Sequence, residues 1–325
     1  MAFGSGTIWM NGKLVAWADA NIHIASHVIH YGSGVFEGAR CYLTERGSAC
    51  FRIDDHVRRL YDSARIYRME PTIDQAAFQE AIMETIRANA YKACYIRPLM
   101  YRGYGSLGIN PKPCPVDTAI LLWEWGAYLG DEALERGVDV RIGSWARAAP
   151  NTYPSMAKST ANYANAQLLK LEAMADGYAE SLALDPSGHL SEGSGENVFL
   201  VRDDVIYTPP MSSSLLPGLT RSSVITIARD LGVEVREQVL PREFLYLADE
   251  AFFVGTAVEV TPIRSVDRLT IGRGSRGPVT EIIQRTFFDI VNGRAPDTHH
   301  WLTYVYPGEP TTRTAEASTS VAASS

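Results

Sequence analysis

A single lysine, Lys158, stands in the stretch PSMAKSTANY at residues 154–163, among small and hydroxyl-bearing neighbours. No aspartate or glutamate occurs between Arg147 and Leu171. A lysine amine forms a Schiff base with a carbonyl when burial or a cationic neighbour lowers its pKa, whereas nearby carboxylates raise that pKa. The acid-free surroundings are therefore typical of a nucleophilic amine, although a solvated surface lysine would fit the same local pattern.

Three further segments combine glycine with a side chain that could bind a ligand. Glu192 lies beside glycines in LSEGSGENVF, Thr220 follows a Pro-Gly break in LLPGLTRSSV, and Thr256 follows a glycine in FFVGTAVEV. Thr220 lies at a predicted helix start, where free N–H groups and the helix dipole favour a phosphate. Each segment also has an ordinary explanation, as a solvated turn or as a threonine N-cap.

These groups together match the requirements of one cofactor. Pyridoxal 5′-phosphate needs an amine for its aldehyde, a carboxylate for its pyridine nitrogen and hydrogen-bond donors for its phosphate. Lys158, Glu192 and the segments around Thr220 and Thr256 supply that set.

Residues 272–277, GRGSRG, match the G-x-G-x-x-G pattern of dinucleotide-binding proteins. In that pattern the helix begins within the glycines, whereas Pro278 marks a helix start after them. The acidic residue expected about 20 positions later would be Asp297, which lies in a polar stretch without a second strand. We therefore interpret GRGSRG as a polar turn.

The composition narrows the class of protein. The formal net charge of −7 argues against a nucleic-acid partner, and no apolar run reaches the roughly 20 residues of a membrane span. The N-terminus lacks the basic and apolar regions of a secretory signal. The four cysteines form no CxxC pair, which favours free thiols in a cytoplasmic protein and argues against a zinc site.

The elements that must position these residues form an α+β pattern of two unlike halves. Asn11-Gly12 predicts a hairpin. One helix is predicted to follow an N-cap at Asp54, and two more to cover residues 73–90 and about 163–175. Two further helices are predicted to begin at Leu219 and at Pro278. We expect a small N-terminal domain (1–125), an interdomain loop (126–137), a larger cofactor-binding domain (138–305) and a disordered tail (306–325).

Seven segments resemble one family. They are HYGSGVFEGARCY, CYIRP, WGAYLG, RAAPNTYPSMAKSTANY, LSEGSGENVF, LLPGLTR and FFVGTAVEVTP. In this order they resemble the bacterial branched-chain amino acid aminotransferases, which are fold-type IV pyridoxal-phosphate enzymes. The resemblance runs from about Ile8 to Leu302.

The resemblance implies roles for individual residues. Lys158 is the implied catalytic residue, bonded to the cofactor aldehyde. The implied cofactor-binding residues are Arg59, Tyr163, Glu192, Leu219, Thr220 and Thr256. The implied substrate-binding residues are Tyr31, Phe36, Gly38, Tyr95, Arg97, Leu107, Ile109, Trp125, Tyr128 and Ala257. Leu107 and Ile109 are expected to enter the site of a neighbouring subunit.

The implied activity is transfer of the amino group of L-leucine, L-isoleucine or L-valine to 2-oxoglutarate in a ping-pong cycle. The implied protein is a cytoplasmic homo-oligomer, at least a dimer, that binds amino acids and 2-oxo acids and neither nucleic acid nor membrane.

The chain departs from the family at Ala161, where glycine is usual, and at Ser159-Thr160. The residues leave three alternatives open: a D-amino acid or (R)-amine transaminase of the same fold, a lyase with the same cofactor, and a protein of another class that binds the cofactor without turnover or acts as an oxidoreductase through GRGSRG. The segment YIR, with Tyr95 and Arg97, favours the L-branched-chain pattern over the first alternative.

Overall fold

The structure is a computed structural model that describes residues 4–126, 129–130 and 132–306. Its helices are α1 (His27–Tyr31), α2 (Ile53–Ile66), α3 (Gln75–Asn89), α4 (Ala133–Arg136), α5 (Asn162–Ala175), α6 (Leu219–Asp230) and α7 (Pro278–Val291). Its strands are β1 (Thr7–Met10), β2 (Lys13–Ala16), β3 (Gly34–Phe36), β4 (Ala39–Thr44), β5 (Gly47–Phe51), β6 (Cys94–Arg102), β7 (Val116–Trp123), β8 (Val138–Ile142), β9 (Glu180–Leu184), β10 (Leu190–Gly193), β11 (Asn197–Arg202), β12 (Val205–Thr208), β13 (Val235–Glu237), β14 (Glu250–Gly255), β15 (Glu259–Val266), β16 (Leu269–Thr270) and β17 (Leu302–Tyr304).

The first sheet is antiparallel in every pair of its described strands. Its order is β17-β5-β4-β6-β7-β1-β2, and β3 pairs with β6. The predicted hairpin is confirmed: Asn11 and Gly12 connect β1 to β2 with φ angles of 47° and 88°, as a two-residue hairpin turn requires. Helices α2 and α3 pack on this sheet through fully buried side chains that include Leu60, Phe78 and Ile82.

Helix α2 begins differently from the prediction. Its N-cap is Arg52, in the left-handed conformation, and Asp54 lies inside the first turn. The position of Asp54 as N-cap is therefore wrong, although an acidic residue still complements the positive end of the helix dipole there. The Arg52 side chain reaches the first turn of α6, where it donates to the Leu219 carbonyl at 3.0 Å.

The second sheet is mixed. Its order is β10-β9-β8-β15-β14-β11-β12-β13, with β16 beside β15. β8 is parallel to both neighbours, and β12 is parallel to β13. Helices α6 and α7 cover one face of this sheet around Phe199, Phe252 and Phe287. The predicted α+β class is confirmed.

The strand β17 belongs to the first sheet, where it pairs with β5, although residues 138–305 were expected to form the larger domain. The last described strand of the chain therefore pairs in the sheet built by the first half of the chain. GRGSRG is a turn between β16 and α7, and Pro278 is the first residue of that helix, as expected. The predicted tail lies outside the described residues, except for Tyr306. No helix in the described ranges has the length and apolar character needed to cross a membrane.

Candidate active site

One cavity of about 620 Å³ collects most of the predicted site residues. This volume lies within the range of small-molecule sites. Both halves of the chain contribute to its walls. The predicted residues on these walls are Phe36, Gly38, Arg59, Tyr95, Arg97, Trp125, Lys158, Tyr163, Glu192, Leu219, Thr220, Thr256 and Ala257.

Lys158 extends into the cavity from the loop between β8 and α5. Its Nζ donates a hydrogen bond to the Tyr163 hydroxyl. The same nitrogen lies 5.0 Å from the ring centroid of Phe36 and 4.9 Å from that of Tyr163. No carboxylate of the described residues forms an ion pair with Lys158, because its neighbours are aromatic rings and hydroxyls. The amine is thus held by contacts that leave it available to a ligand.

The backbone around Lys158 is fixed by the first half of the chain. The Lys158 carbonyl accepts from Phe36 N at 3.0 Å, and the Lys158 N–H donates to Ser63 Oγ at 3.1 Å. Ser159 is fully buried and accepts a hydrogen bond from the Tyr67 hydroxyl at 2.9 Å. Ala161 has φ −63° and ψ −39°, which any residue adopts. The departure from glycine at this position therefore introduces no backbone strain.

Glu192 is a buried carboxylate with a fixed orientation. Its Oε2 accepts from Asn197 Nδ2 at 3.2 Å and from Leu216 N at 3.1 Å. Its Oε1 lies 3.2 Å from Arg147 Nε in an ion pair whose N–H is not aligned for a hydrogen bond. Burial raises the pKa of Glu192, and the Arg147 charge together with the Leu216 N–H opposes that rise.

Arg147 also holds the chain segment that follows this carboxylate and helix α5. Its guanidinium donates to the Gly193 and Ser194 carbonyls and to Asn165 Oδ1 on α5. The glutamate and the helix that carries Tyr163 are therefore fixed by one cation.

The cavity wall around the start of α6, which we call the anion end, is suited to an anion. Helix α6 begins at Leu219 after Gly218, and no side chain caps its first N–H groups. A Cβ at Gly218 would lie 1.9 Å from Asn197 Oδ1, so only glycine fits where Asn197 approaches. Thr256 lies in the turn between β14 and β15. Free helix N–H groups and threonine hydroxyls are typical phosphate donors.

Arg59 lies at this anion end and is oriented by Glu37. The fully buried Glu37 carboxylate accepts from Arg59 Nε at 2.6 Å and Nη2 at 2.8 Å, and from His56 Nδ1 at 2.8 Å. Arg59 Nη1 donates to the Pro217 carbonyl at 2.7 Å. These bonds use three of the five guanidinium N–H groups, which leaves two for a ligand.

The ionisation of this pair follows from its contacts. Burial opposes the charge on Glu37, but the Arg59 charge and the hydrogen bonds from Arg59 and His56 outweigh burial and hold the pKa of Glu37 well below its usual range. Burial lowers the pKa of His56, so His56 donates to Glu37 as a neutral imidazole.

Arg97 differs from Arg59 because it has no anionic partner. Its guanidinium carbon lies 4.8 Å from the Phe36 ring centroid and 5.4 Å from those of Tyr95 and Trp123. Its Nε is buried without a hydrogen-bond partner, and within the described ranges no carboxylate lies at ion-pair distance. A partly buried cation without an anion at ion-pair distance is poised for an anionic ligand.

Three predicted residues that the structure describes do not lie on the walls of this cavity. Tyr31, Leu107 and Ile109 are absent from its described walls and are exposed at the surface, with 45%, 54% and 88% of their areas accessible. For Leu107 and Ile109 this agrees with a role in a neighbouring subunit, and for Tyr31 a place in the chain's own pocket stays a prediction. Tyr128 lies outside the described residues.

The family model of the class IV amino-transferases matches residues 34–266. The chain is 50% identical over 299 residues to the branched-chain-amino-acid aminotransferase of Escherichia coli strain K12, across 92% of this chain and 97% of that protein. The chain belongs to the class IV aminotransferases.

Solved structures agree with this assignment. The Escherichia coli branched-chain amino acid aminotransferase has a TM-score of 0.92 and 49% identity, covering 93% of this chain and all of the other. The T.th. branched-chain amino acid aminotransferase complexed with N-(5′-phosphopyridoxyl)-L-glutamate has a TM-score of 0.89 and 46% identity, covering 93% of this chain and 99% of the other.

The sequence analysis missed three residues that organise the aminotransferase site: Glu37, Arg147 and Asn197. Glu37 could have been suspected, because a carboxylate within the apolar run VFEGA must be paired when it is buried. No comparable local signal marks Arg147 or Asn197. The partners of Arg147 are distant in sequence, and Asn197 donates to a backbone carbonyl that no side-chain pattern reveals.

Glu37→Gln should weaken binding of pyridoxal 5′-phosphate by the apoenzyme about 10–100-fold, which corresponds to loss of a hydrogen bond to a charged group. The amide presents N–H groups to the Arg59 guanidinium, so the arginine loses its fixed orientation. An absorbance titration of apoenzyme measures the affinity, and Glu84→Gln, at an exposed position of helix α3, is the control. Unchanged affinity in a folded Glu37→Gln variant would show that Arg59 needs no such partner.

Glu192→Gln should retain the cofactor and lose about 10²–10³-fold in rate, as expected when one preorganised electrostatic contact to a reacting system is removed. Single-turnover kinetics with L-leucine measure the rate, and the bound cofactor content is determined in parallel. Glu234→Gln, at an exposed position, serves as control. A variant with the normal rate would reduce Glu192 to a structural role.

Proposed function

We propose that this class IV aminotransferase transfers the amino group of L-leucine, L-isoleucine or L-valine to 2-oxoglutarate, with pyridoxal 5′-phosphate as cofactor. The observation that carries the proposal is Arg97, which has no carboxylate at ion-pair distance among the described residues. It packs against aromatic rings in the cavity that also holds the Lys158 amine. A substrate with both a carboxylate and an apolar side chain satisfies this combination.

The residues fit the cofactor at each of its polar groups. Lys158 supplies the amine for the aldehyde, Glu192 the carboxylate for the pyridine nitrogen, and Arg59 with the α6 N-terminus the donors for the phosphate. When bound, pyridoxal 5′-phosphate withdraws electrons from the substrate Cα. The cofactor–glutamate adduct in the T.th. enzyme supports this assignment and supports glutamate, the product formed from 2-oxoglutarate, as a ligand.

The chain's own groups then perform three tasks. The Lys158 amine takes the proton from the substrate Cα, and its hydrogen bond to Tyr163 keeps the nitrogen in the cavity. Glu192, whose Oε1 lies beside the Arg147 cation, would hold the pyridine nitrogen in its protonated form. Arg59 and the first turn of α6 anchor the phosphate so that the reacting atoms stay aligned.

The substrate end selects for shape and for a carboxylate. A Cβ at Gly38 would lie 2.0 Å from the Tyr95 hydroxyl, so glycine at this position allows Tyr95 to point across the strand into the cavity. Phe36 and Trp125 provide apolar surface for a branched side chain. Arg97, Tyr95 and the turn at Thr256-Ala257 supply donors for carboxylates.

We further propose that a second copy of the chain completes the site. Leu107 and Ile109 are apolar and exposed, and they lie in the loop after β6, whose Gly108 carbonyl contacts the buried His27 ring at 2.9 Å. Such residues favour an apolar interface. Tyr31 lies at the end of α1, the helix that carries His27, and its place in the side-chain pocket stays a prediction. The two sheets would form two domains joined through residues 126–137. We also propose that the protein is cytoplasmic.

A panel of amino donors with 2-oxoglutarate as acceptor tests the proposed function. L-leucine, L-isoleucine and L-valine should react at least about 100-fold faster than D-alanine or (R)-1-phenylethylamine, because a site built to bind a carboxylate in one geometry discriminates strongly. Faster turnover of D-alanine or of the amine would replace this function with the alternative of the same fold.

Lys158→Ala should lose about 10²–10⁴-fold in single-turnover rate with L-leucine, the usual contribution of a positioned proton-transfer group. Borohydride reduction should attach the cofactor to wild-type protein at the peptide containing Lys158 and leave the variant unlabelled. Lys112→Ala, at an exposed position, should behave as wild type. Normal turnover in Lys158→Ala would exclude this lysine as the catalytic residue.

Arg97→Leu should weaken glutamate and 2-oxoglutarate more than leucine, because the second carboxylate needs a charge-assisted donor that an aliphatic side chain does not. Half-reaction titrations with glutamate and leucine, monitored by cofactor absorbance, measure the two losses separately. The expected excess loss for glutamate is at least about tenfold, from one charge-assisted hydrogen bond. Equal losses would mean that Arg97 binds only the carboxylate common to both substrates and that another donor, with Tyr31 and Tyr128 as candidates, recognises the second.

A further inference from the structure

Three of the four cysteines form a row across adjacent strands of the first sheet. Cys41 on β4 is directly opposite Cys50 on β5 and directly opposite Cys94 on β6. Directly opposite residues of antiparallel strands point to the same face. All three thiols are free and buried, and they belong to the same apolar cluster between this sheet and helices α2 and α3.

The two pairs in this row differ in backbone geometry. The Ser48 carbonyl on β5 accepts from Val305 N, so it points toward β17. Because backbone groups alternate along a strand, Cys50 also directs its N–H and carbonyl toward β17 and makes no backbone hydrogen bond to Cys41. In such non-hydrogen-bonded pairs the Cα atoms lie about 4.5 Å apart and the side chains approach more closely, which is within the range of disulfides.

A second cavity reaches this row from the surface. Its volume is about 520 Å³, and Cys41 and Cys94 lie on its wall, whereas Cys50 does not. Leu43, with 53% of its area exposed, lies at the rim. The cavity therefore reaches the strand positions of Cys41 and Cys94, whose residues are only 1% and 3% exposed, and does not reach Cys50.

The central thiol is also the one that ionises first. The neighbouring Cys50 and Cys94 thiols lower the pKa of Cys41, against the opposing effect of burial. The same contacts, with burial, raise the pKa values of Cys50 and Cys94. The thiolate is the nucleophilic form of cysteine.

We propose that Cys41 is an oxidation site for hydrogen peroxide and that Cys50 resolves it as a cross-strand disulfide. The Cys41 thiolate attacks one peroxide oxygen, the O–O bond breaks, and hydroxide leaves and takes up a proton as water. The resulting sulfenic acid is attacked by the Cys50 sulfur, a second water leaves, and the S–S bond forms. The two thiols lose two electrons, and the peroxide gains them.

Tryptic digestion distinguishes the products, because cleavage after Arg40, Arg46 and Arg52 places Cys41 in peptide 41–46 and Cys50 in peptide 47–52. Cys94 falls in peptide 93–102, since Pro98 blocks cleavage after Arg97. Holoenzyme is treated with hydrogen peroxide, its remaining thiols are alkylated, and non-reduced peptides are analysed by mass spectrometry. The expected product links peptides 41–46 and 47–52, rises at least tenfold over untreated protein and disappears with dithiothreitol.

Variants of single cysteines sharpen the test. Cys41→Ser should abolish the link and leave Cys50 and Cys94 reduced, because neither has its pKa lowered. Cys114→Ser is the matched control, a buried cysteine outside the row, and should form the link to the wild-type extent. Cys94→Ala should form the link several-fold more slowly, since the Cys41 thiolate loses one neighbouring hydrogen-bond donor.

Three results would overturn the proposal, each measured on wild-type protein. They are a main link between peptides 41–46 and 93–102, oxidation of Cys114 at the same rate as Cys41, and the absence of any linked pair once peroxide has modified other residues.

Discussion

The arrangement of the site depends on the buried ion pair between Glu37 and Arg59. Glu37 lies between Phe36 and Gly38, both on the cavity wall, while Arg59 belongs to the anion end. A fully buried carboxylate is tolerated only when cations and N–H groups satisfy it, and losing one partner is strongly destabilising. The pair therefore joins the strand proposed to contact substrate to the proposed phosphate site, and neither can shift without exposing an unpaired charge.

A second set of charged and polar groups fixes the cavity wall around Glu192. Arg147 approaches Glu192 and also binds the carbonyls that follow it, while Asn197 connects the same carboxylate to the loop before α6. Gly218 is required by that approach, since any side chain there would overlap Asn197. The segments for the pyridine nitrogen and for the phosphate are thus spaced by side-chain hydrogen bonds, which preorganise the site.

The two arginines of the cavity show how pairing determines role. Arg59 is neutralised within the protein and acts as an oriented donor, whereas Arg97 is held by aromatic faces and has no carboxylate among the described residues. Cation–π contacts hold the guanidinium without cancelling its charge. The cavity thus combines a prearranged donor with a cation that no described carboxylate compensates, as the proposed binding of a phosphate and of a substrate carboxylate would require.

The sequence by itself determined the α+β class, the hairpin at Asn11-Gly12, most helix positions and the groups that a pyridoxal-phosphate site needs, because periodicity, turn chemistry and residue type are local. It misplaced the start of α2, where Arg52 is the N-cap and its side chain donates a hydrogen bond to the first turn of α6. Only the tertiary structure decided that β17 returns to the first sheet, that Glu37 orients Arg59 and that Cys41 lies between two other thiols. These depend on strand register and on burial, and both arise from contacts between residues far apart in the chain.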